Sequence, residues 1–358
     1  MNYIGSKVKL LPFIENSILS VIDKECKVFC DLFAGTGVVG ARFKQLGFKI
    51  IANDIQYYAY TLNKQLIDNH KELKFNGLIG IVPQLDLCEI LQRKKFICNY
   101  LTKNIKPKKG FIFNNYSPTK QNERMYLTNS NAQKCDAIRI KIEDWKNNEL
   151  INDNEYFFLI ASLIKSVDRY ANVVSVYGAF LKKFKEEALQ GFTMQPHRQI
   201  LNDQDHEVFN EDANKLIKKI STDILYIDPP YNNRQYATNY HLLETVAKYD
   251  KPKIYGKTGL REYSEQKSKY CLKSESAVVL KDLIEHAKSK YIFISYNNEG
   301  IIPQETIKKL LQAKGEYGCF ETKYSRYKAD SRRNYAANST IEYLHYCHSR
   351  RHIRQDSA

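Results

Sequence analysis

The stretch VFCDLFAGTGVVGARFKQLGFKIIAND, residues 28–54, constrains the fold more than any other. Two short apolar runs, Val28 to Phe33 and Phe48 to Asp54, flank a glycine-rich turn and a helical pattern from Val38 to Leu46. Two strands joined through a helix must lie parallel in one sheet, with a right-handed crossover. The turn carries Gly35, Gly37 and Gly40 in the spacing G-x-G-x-x-G, and Asp54 follows at the end of the second strand. By pattern alone this is a dinucleotide-binding fingerprint. It fits any adenosine-bearing ligand whose ribose meets an acid, so the rest of the chain has to decide.

A helical pattern continues over Tyr57 to Asn69, and then the alternation stops. Between about Gly80 and Ser221 the chain mixes Lys103, Lys106, Lys108 and Lys109 with Phe111, Phe113 and Tyr116, and holds one strong amphipathic helix, Glu155 to Ala171. We read this part as an insertion with a partly helical core and a basic, aromatic-bearing surface. The α/β pattern returns with strands at Asp223 to Asp228, Tyr291 to Tyr296 and Ile341 to Tyr346. Helices are expected at Tyr240 to Tyr249, Ser276 to Lys288 and Pro303 to Lys314. The expected organisation is one discontinuous α/β domain, 1–80 and 222–347, an insertion, 81–221, and a basic tail, 348–358.

Charge narrows the partners. Fifty-five Lys and Arg stand against 40 Asp and Glu, a formal net charge of +15. Such a surplus favours a polyanion, because phosphate contacts release counterions. A lysine-rich composition alone would also give it. No apolar run reaches membrane-spanning length, and the N-terminus lacks a signal-peptide pattern. The eight cysteines are scattered, so we expect reduced thiols in a cytoplasmic protein.

YIDPPYNNRQY, residues 226–236, decides between the ligands. An acid ends a buried strand, and two prolines fix the backbone that follows. Asp228 and the carbonyl of Pro229 offer two acceptors to the two hydrogens of an exocyclic amine. That arrangement aims the lone pair at an electrophile and catalyses by positioning. Tyr231 offers a ring on which an unstacked base can rest. A plain turn after a strand would explain the tetrapeptide alone, but not its pairing with the glycine loop.

DLFAGTG together with DPPY, preceded by NYIGSK, resembles the D12-class, alpha-ordered N6-adenine DNA methyltransferases. NYSP with NERMY, VYGAFLKKF and IYGKTGLREY bring the chain nearest to the type IIS branch, whose members fuse two methyltransferase units. The resemblance runs from Met1 to about Tyr346. It implies a Rossmann-like sheet that uses S-adenosylmethionine, with the insertion as target-recognition region. It implies that Tyr3 and Lys7 help hold the cofactor and that Asp31, Phe33, Gly35 and Gly37 lie beside its methionine part. Asp54 would accept from the ribose hydroxyls, Gly40 would be a helix-packing position, and Asp228, Pro229, Pro230 and Tyr231 would form the catalytic turn. The substrate would be double-stranded DNA, acted on by a monomer after base flipping and without a metal. With one set of motifs, methylation of one strand of an asymmetric site is expected, beside a companion methyltransferase and a restriction endonuclease.

Lesser signals complete the reading. Lys103, Lys106, Lys108, Lys109, Arg234, Tyr236, Arg326 and Lys328 are candidate DNA contacts. His345, Cys347, His348 and His352 sit close together, but a strand followed by a basic tail explains them better than zinc does. The competing functions are a methyltransferase acting on RNA or a protein glutamine, a nicotinamide oxidoreductase, and a methyltransferase fold that binds without turnover. The first usually has Asn-Pro-Pro-Tyr soon after the glycine loop. Here about 190 residues separate Gly35 from Asp228, and the residue is Asp.

Overall fold

The computed structural model describes residues 5–325 and 339–350. The chain folds into two compact units. One holds Gly5–Ile55, Gln204–Tyr236 and the described residues from Gln266 on; the other holds Gln56–Asp203 and Ala237–Glu265. These limits differ from the expected insertion, 81–221, at both ends. Residues 56–80 and 237–265 group with the middle of the chain, while 204–221 group with the sheet.

The first unit is built on a seven-stranded sheet. Its strands are β1 (Val28–Asp31), β2 (Lys49–Asn53), β3 (Glu207–Phe209), β4 (Thr222–Ile227), β5 (Ser289–Asn297), β6 (Gly315–Ser325) and β7 (Ser339–Ser349). They run in the order β3-β2-β1-β4-β5-β7-β6. β3, β2, β1, β4 and β5 pair in parallel; β7 pairs antiparallel with both β5 and β6. Four of the five expected strands are parallel members, and the fifth, Ile341 to Tyr346, lies in antiparallel β7. β3 and β6 add to the expected set. β3 is a three-residue edge strand, and β6 carries Gly315 and Gly318 inside a polar run.

Parallel strands buried on both faces need apolar runs, which the sequence supplies. On one face Cys30, Leu225, Ile227, Ile292 and Ile294 pack with Leu216, Leu280, Leu283, Ile307 and Leu311, from the helices Ala213–Leu216, Ser276–His286 and Gln304–Lys314. On the other, Phe29 stacks on Phe43 of the helix Val38–Gln45 with centroids 3.9 Å apart. The helix Leu11–Leu19 is tied to the same helix by a two-pronged ion pair, Arg42 to Glu15 at 2.6 and 2.7 Å.

The second unit is mainly helical, with Tyr57–Asn63, Ile90–Asn104, Phe111–Tyr116, Asn129–Asn147, Asp153–Tyr170 and His241–Lys248 as principal helices. The helix from Tyr57 stops short of Asn69, because a wider turn takes over at Lys64–Asp68. Asn152 and Glu155 cap the amphipathic helix Asp153–Tyr170 reciprocally. Tyr116, expected on the surface, is buried and donates to the Gly259 carbonyl at 2.9 Å. Arg139, only 2 % exposed, donates to the Val246 and Ala247 carbonyls at 3.0 and 3.1 Å and so closes the end of His241–Lys248. Among the described residues no helix is long and apolar enough to cross a membrane.

Candidate active site

The strand order reverses between β1 and β4, with β2 and β3 on one side and β5 on the other. In an open parallel sheet, the carboxyl ends of the strands at such a reversal form a crevice where ligands bind. Both motifs fall there. Asp31 is paired with Tyr226 across β1 and β4, and Leu32 donates to the Tyr226 carbonyl at 3.1 Å. The glycine loop leaves β1, and Asp228 to Tyr231 leave β4, side by side.

The loop is held by its own side chains. Gly35 and Gly37 have φ of 52° and 75°, left-handed values that favour glycine. The Gly35 amide donates to Asp54 at 2.8 Å, which ties the loop to the end of β2. The Gly40 amide donates to Asp31 at 3.1 Å, so Gly40, in the first turn of the helix Val38–Gln45, anchors the acid. Burial pushes the Asp31 carboxyl up to about 7; the Gly40 amide opposes the rise, and the charges of Asp228 and Asp54 add to it. Phe33 meets Tyr270 edge-on at 5.1 Å.

Asp228 lies beside a buried cation. The Lys7 ammonium, 5 % exposed, sits 3.1 Å from Asp228 Oδ1 and 3.7 Å from Glu342 Oε2, and 5.8 Å above the Tyr231 ring. Burial raises Asp228 to about 6; Lys7 pulls it down and Glu342 pushes it up. Burial also works against the Lys7 charge, but Asp228, Tyr226 and Glu342 outweigh it and hold its pKa well above the ordinary value. Beyond Lys7, neither Asp228 Oδ1 nor Glu342 Oε2 has a hydrogen-bond partner among the described residues. A carboxylate has about four acceptor positions, so Asp228 can take a donor from outside the chain while it stays beside Lys7.

The sequence-derived residues divide into three groups. Lys7, Asp31, Phe33, Gly35, Gly37, Asp54, Asp228, Pro229, Pro230 and Tyr231 all belong to the sheet unit and gather around β1 and β4. Arg234 is exposed, and Tyr236 is half-buried, its hydroxyl 3.1 Å from where a side chain at Gly5 would begin. Lys103, Lys106, Lys108 and Lys109 belong to the helical unit, and all four are exposed. Tyr3, Arg326, Lys328 and His352 lie outside the described residues. His345 bonds the Tyr317 hydroxyl at 2.9 Å, while His348 faces the other side of β7 and stacks on Tyr291. Strand alternation separates those two histidines. Sequence reasoning misses Glu342; the available signal is a lone acid in the strand run IEYLHY.

A family model for D12 class N6 adenine-specific DNA methyltransferases matches residues 3–310. The chain belongs to that family. It is 45 % identical over 349 residues to the type II methyltransferase M.NlaIII of Neisseria lactamica, covering 96 % of this chain and 98 % of that one. It is 41 % identical to the type II methyltransferase M.FokI of Planomicrobium okeanokoites and 38 % identical to the modification methylase StsI of Streptococcus sanguinis. Each match covers 97 % of this chain but only 52 % and 51 % of those proteins. This D12-class methyltransferase therefore spans about half of M.FokI and StsI, and nearly all of M.NlaIII. Family membership brings a methyl-donor cofactor and a DNA substrate.

Proposed function

We propose that the enzyme transfers a methyl group from S-adenosylmethionine to N6 of adenine in duplex DNA, as the modification enzyme of a type II restriction system. The observation that carries the site assignment is the placement of Asp228, ion-paired with the buried Lys7, beside the Gly35–Gly37 loop at the reversal between β1 and β4.

The donor set suits a cationic adenosine-bearing cofactor. Asp31 and Asp54 bring two carboxylates to the glycine loop, while Lys7 lies between Asp228 and Glu342. A sulfonium and an amine brought to that surplus of carboxylate are stabilised by it. Asp31 and the glycine loop would face the methionine part, and Asp54 the ribose. Bound S-adenosylmethionine supplies a methyl group on sulfonium, open to in-line displacement by an amine nitrogen.

The chain supplies position. An adenine extruded from the duplex presents its N6 hydrogens to Asp228 and the Pro229 carbonyl. Pro229 and Pro230 stiffen the turn, so the amine lone pair keeps one direction. Tyr231 gives the base a face, and its own ring is braced edge-on by Tyr296 at 6.2 Å. Asp54→Ala is expected to weaken S-adenosylmethionine binding about tenfold by loss of hydrogen bonds to a charged acceptor. Equilibrium titration with labelled cofactor reads it, and unchanged affinity would remove Asp54 from the cofactor site.

Lys103, Lys106, Lys108 and Lys109 are proposed to contact the DNA backbone as part of a target-recognition region in the helical unit. Changing all four to Gln is expected to lower duplex affinity and to flatten its logarithmic salt dependence by up to about 4 units, near one per lost phosphate contact. A slope equal to that of the wild type would return them to the solvated surface. The one-strand expectation draws on two-unit relatives. M.NlaIII, matched over 98 % of its length, is a one-unit relative and removes that argument. Strand-resolved sequencing of DNA methylated by the purified protein tests the site. N6-methyladenine at one motif is expected; methylation of one strand marks an asymmetric site read with a companion enzyme, and of both strands a site read in two orientations. Scattered methylation with no motif would contradict a site-specific role. We place such an enzyme, with its free cysteines, in the cytoplasm beside a cognate endonuclease.

A further inference from the structure

Lys7 touches two carboxylates that come from different strands. Asp228 follows β4 and Glu342 lies on β7, with β5 between them. Adjacent strands are about 4.8 Å apart, so the two acids start roughly 10 Å apart and only a long side chain joins them. Lys7 is the joint: 3.1 Å to one and 3.7 Å to the other, and almost wholly buried. A buried lysine shared by one buried and one largely buried acid is costly to assemble, and the fold had less costly apolar choices for packing.

We propose that Lys7 and Glu342 are positioning residues for Asp228. Lys7 holds the Asp228 carboxylate ionised and fixed at the end of β4, and Glu342 sets how much of that ammonium Asp228 receives. This rests on Asp228 being the acceptor for the adenine amine. It gives Lys7 a task on the amine side of the reaction in addition to any contact with cofactor.

The charges around Asp228 make the effect directional. Lys7 comes from the N-terminal segment, Tyr226 from β4, Asp31 from β1, Tyr231 from the turn after β4 and Glu342 from β7; β5 brings Ser295 and Tyr296. Lys7 is the cation in this group. Removing it raises the Asp228 pKa, and removing the Glu342 charge lowers it. Only ionised Asp228 accepts from the amine without donating. The rate therefore climbs with pH through the Asp228 value, about 6 in the wild type.

The test is the single-turnover rate of N6-adenine methylation against pH, at saturating S-adenosylmethionine and duplex DNA, for wild type, Lys7→Gln and Glu342→Gln. Lys7→Gln is expected to move the acid limb up by about one unit or more, so its deficit at pH 6.5 exceeds that at pH 8.5 about threefold or more. Glu342→Gln is expected to move the limb down. Opposite shifts, with cofactor affinity of Glu342→Gln unchanged, are what a packing role does not produce. If Lys7→Gln does not fold, the downward shift of Glu342→Gln carries the test alone. A methylating wild type whose limb stays put in Glu342→Gln, or moves up, overturns the inference while leaving the proposed function intact. A wild type that methylates no adenine at any pH overturns the proposed function itself, and this inference with it.

Discussion

Asp228→Ala is expected to lower single-turnover methylation of duplex DNA by about 10³-fold, the size of effect seen when one preorganised polar group is taken from a transition state. The acceptor at the end of β4 disappears, and the amine lone pair loses its fixed direction. Cofactor affinity should hold within a few fold, because the glycine loop, Asp31 and Asp54 stand on β1 and β2. The variant also frees Lys7 from its nearer partner, which leaves Glu342 at 3.7 Å to hold the ammonium. Rapid-quench kinetics and cofactor titration separate the two effects. Near-normal turnover would mean that the Asp-Pro-Pro-Tyr turn is structural, and loss of cofactor binding in proportion to rate would make Asp228 a cofactor ligand first.

Arg139→Met is expected to destabilise the helical unit by about 3–5 kcal/mol, as when one partner is taken from a buried charged network. Its guanidinium serves the Val246 and Ala247 carbonyls, the Tyr156 hydroxyl at 3.0 Å and Glu143 at 2.6 Å, and it lies over the Tyr249 ring. Methionine fills part of the volume but leaves those two helix-end carbonyls buried without donors. Denaturant midpoints for the wild type and variant measure the loss. A change below about 1 kcal/mol would show that water replaces the guanidinium at small cost.

Much of the site is legible in the sequence because its parts are local. The glycine loop after β1, the acid after β2 and the turn after β4 each follow an apolar run of strand length. A parallel sheet brings such strand ends to one edge. What escapes reading is non-local or weakly patterned. β6 resembles a polar loop, since Gly318 replaces a side chain opposite Tyr346; a Cβ there would come within 2.2 Å of that ring. β3 is too short to show a period, so residues 204–221 read as part of the insertion. Lys7 is recognisable within NYIGSK, but its partners stand about 220 and 335 positions away, and nothing in the spacing joins them. Tyr116 looks like a surface aromatic beside lysines; the Gly259 carbonyl it serves lies more than 140 residues on.

The most direct measurement of the central claim is the identity of the methylated product. Purified protein is incubated with methyl-labelled S-adenosylmethionine and, in separate reactions, unmethylated duplex DNA, RNA and total protein, and the products are digested and identified by mass. The account predicts label in duplex DNA, as N6-methyl-2′-deoxyadenosine. Label confined to RNA or to protein, or carried by a DNA base other than adenine, would contradict it.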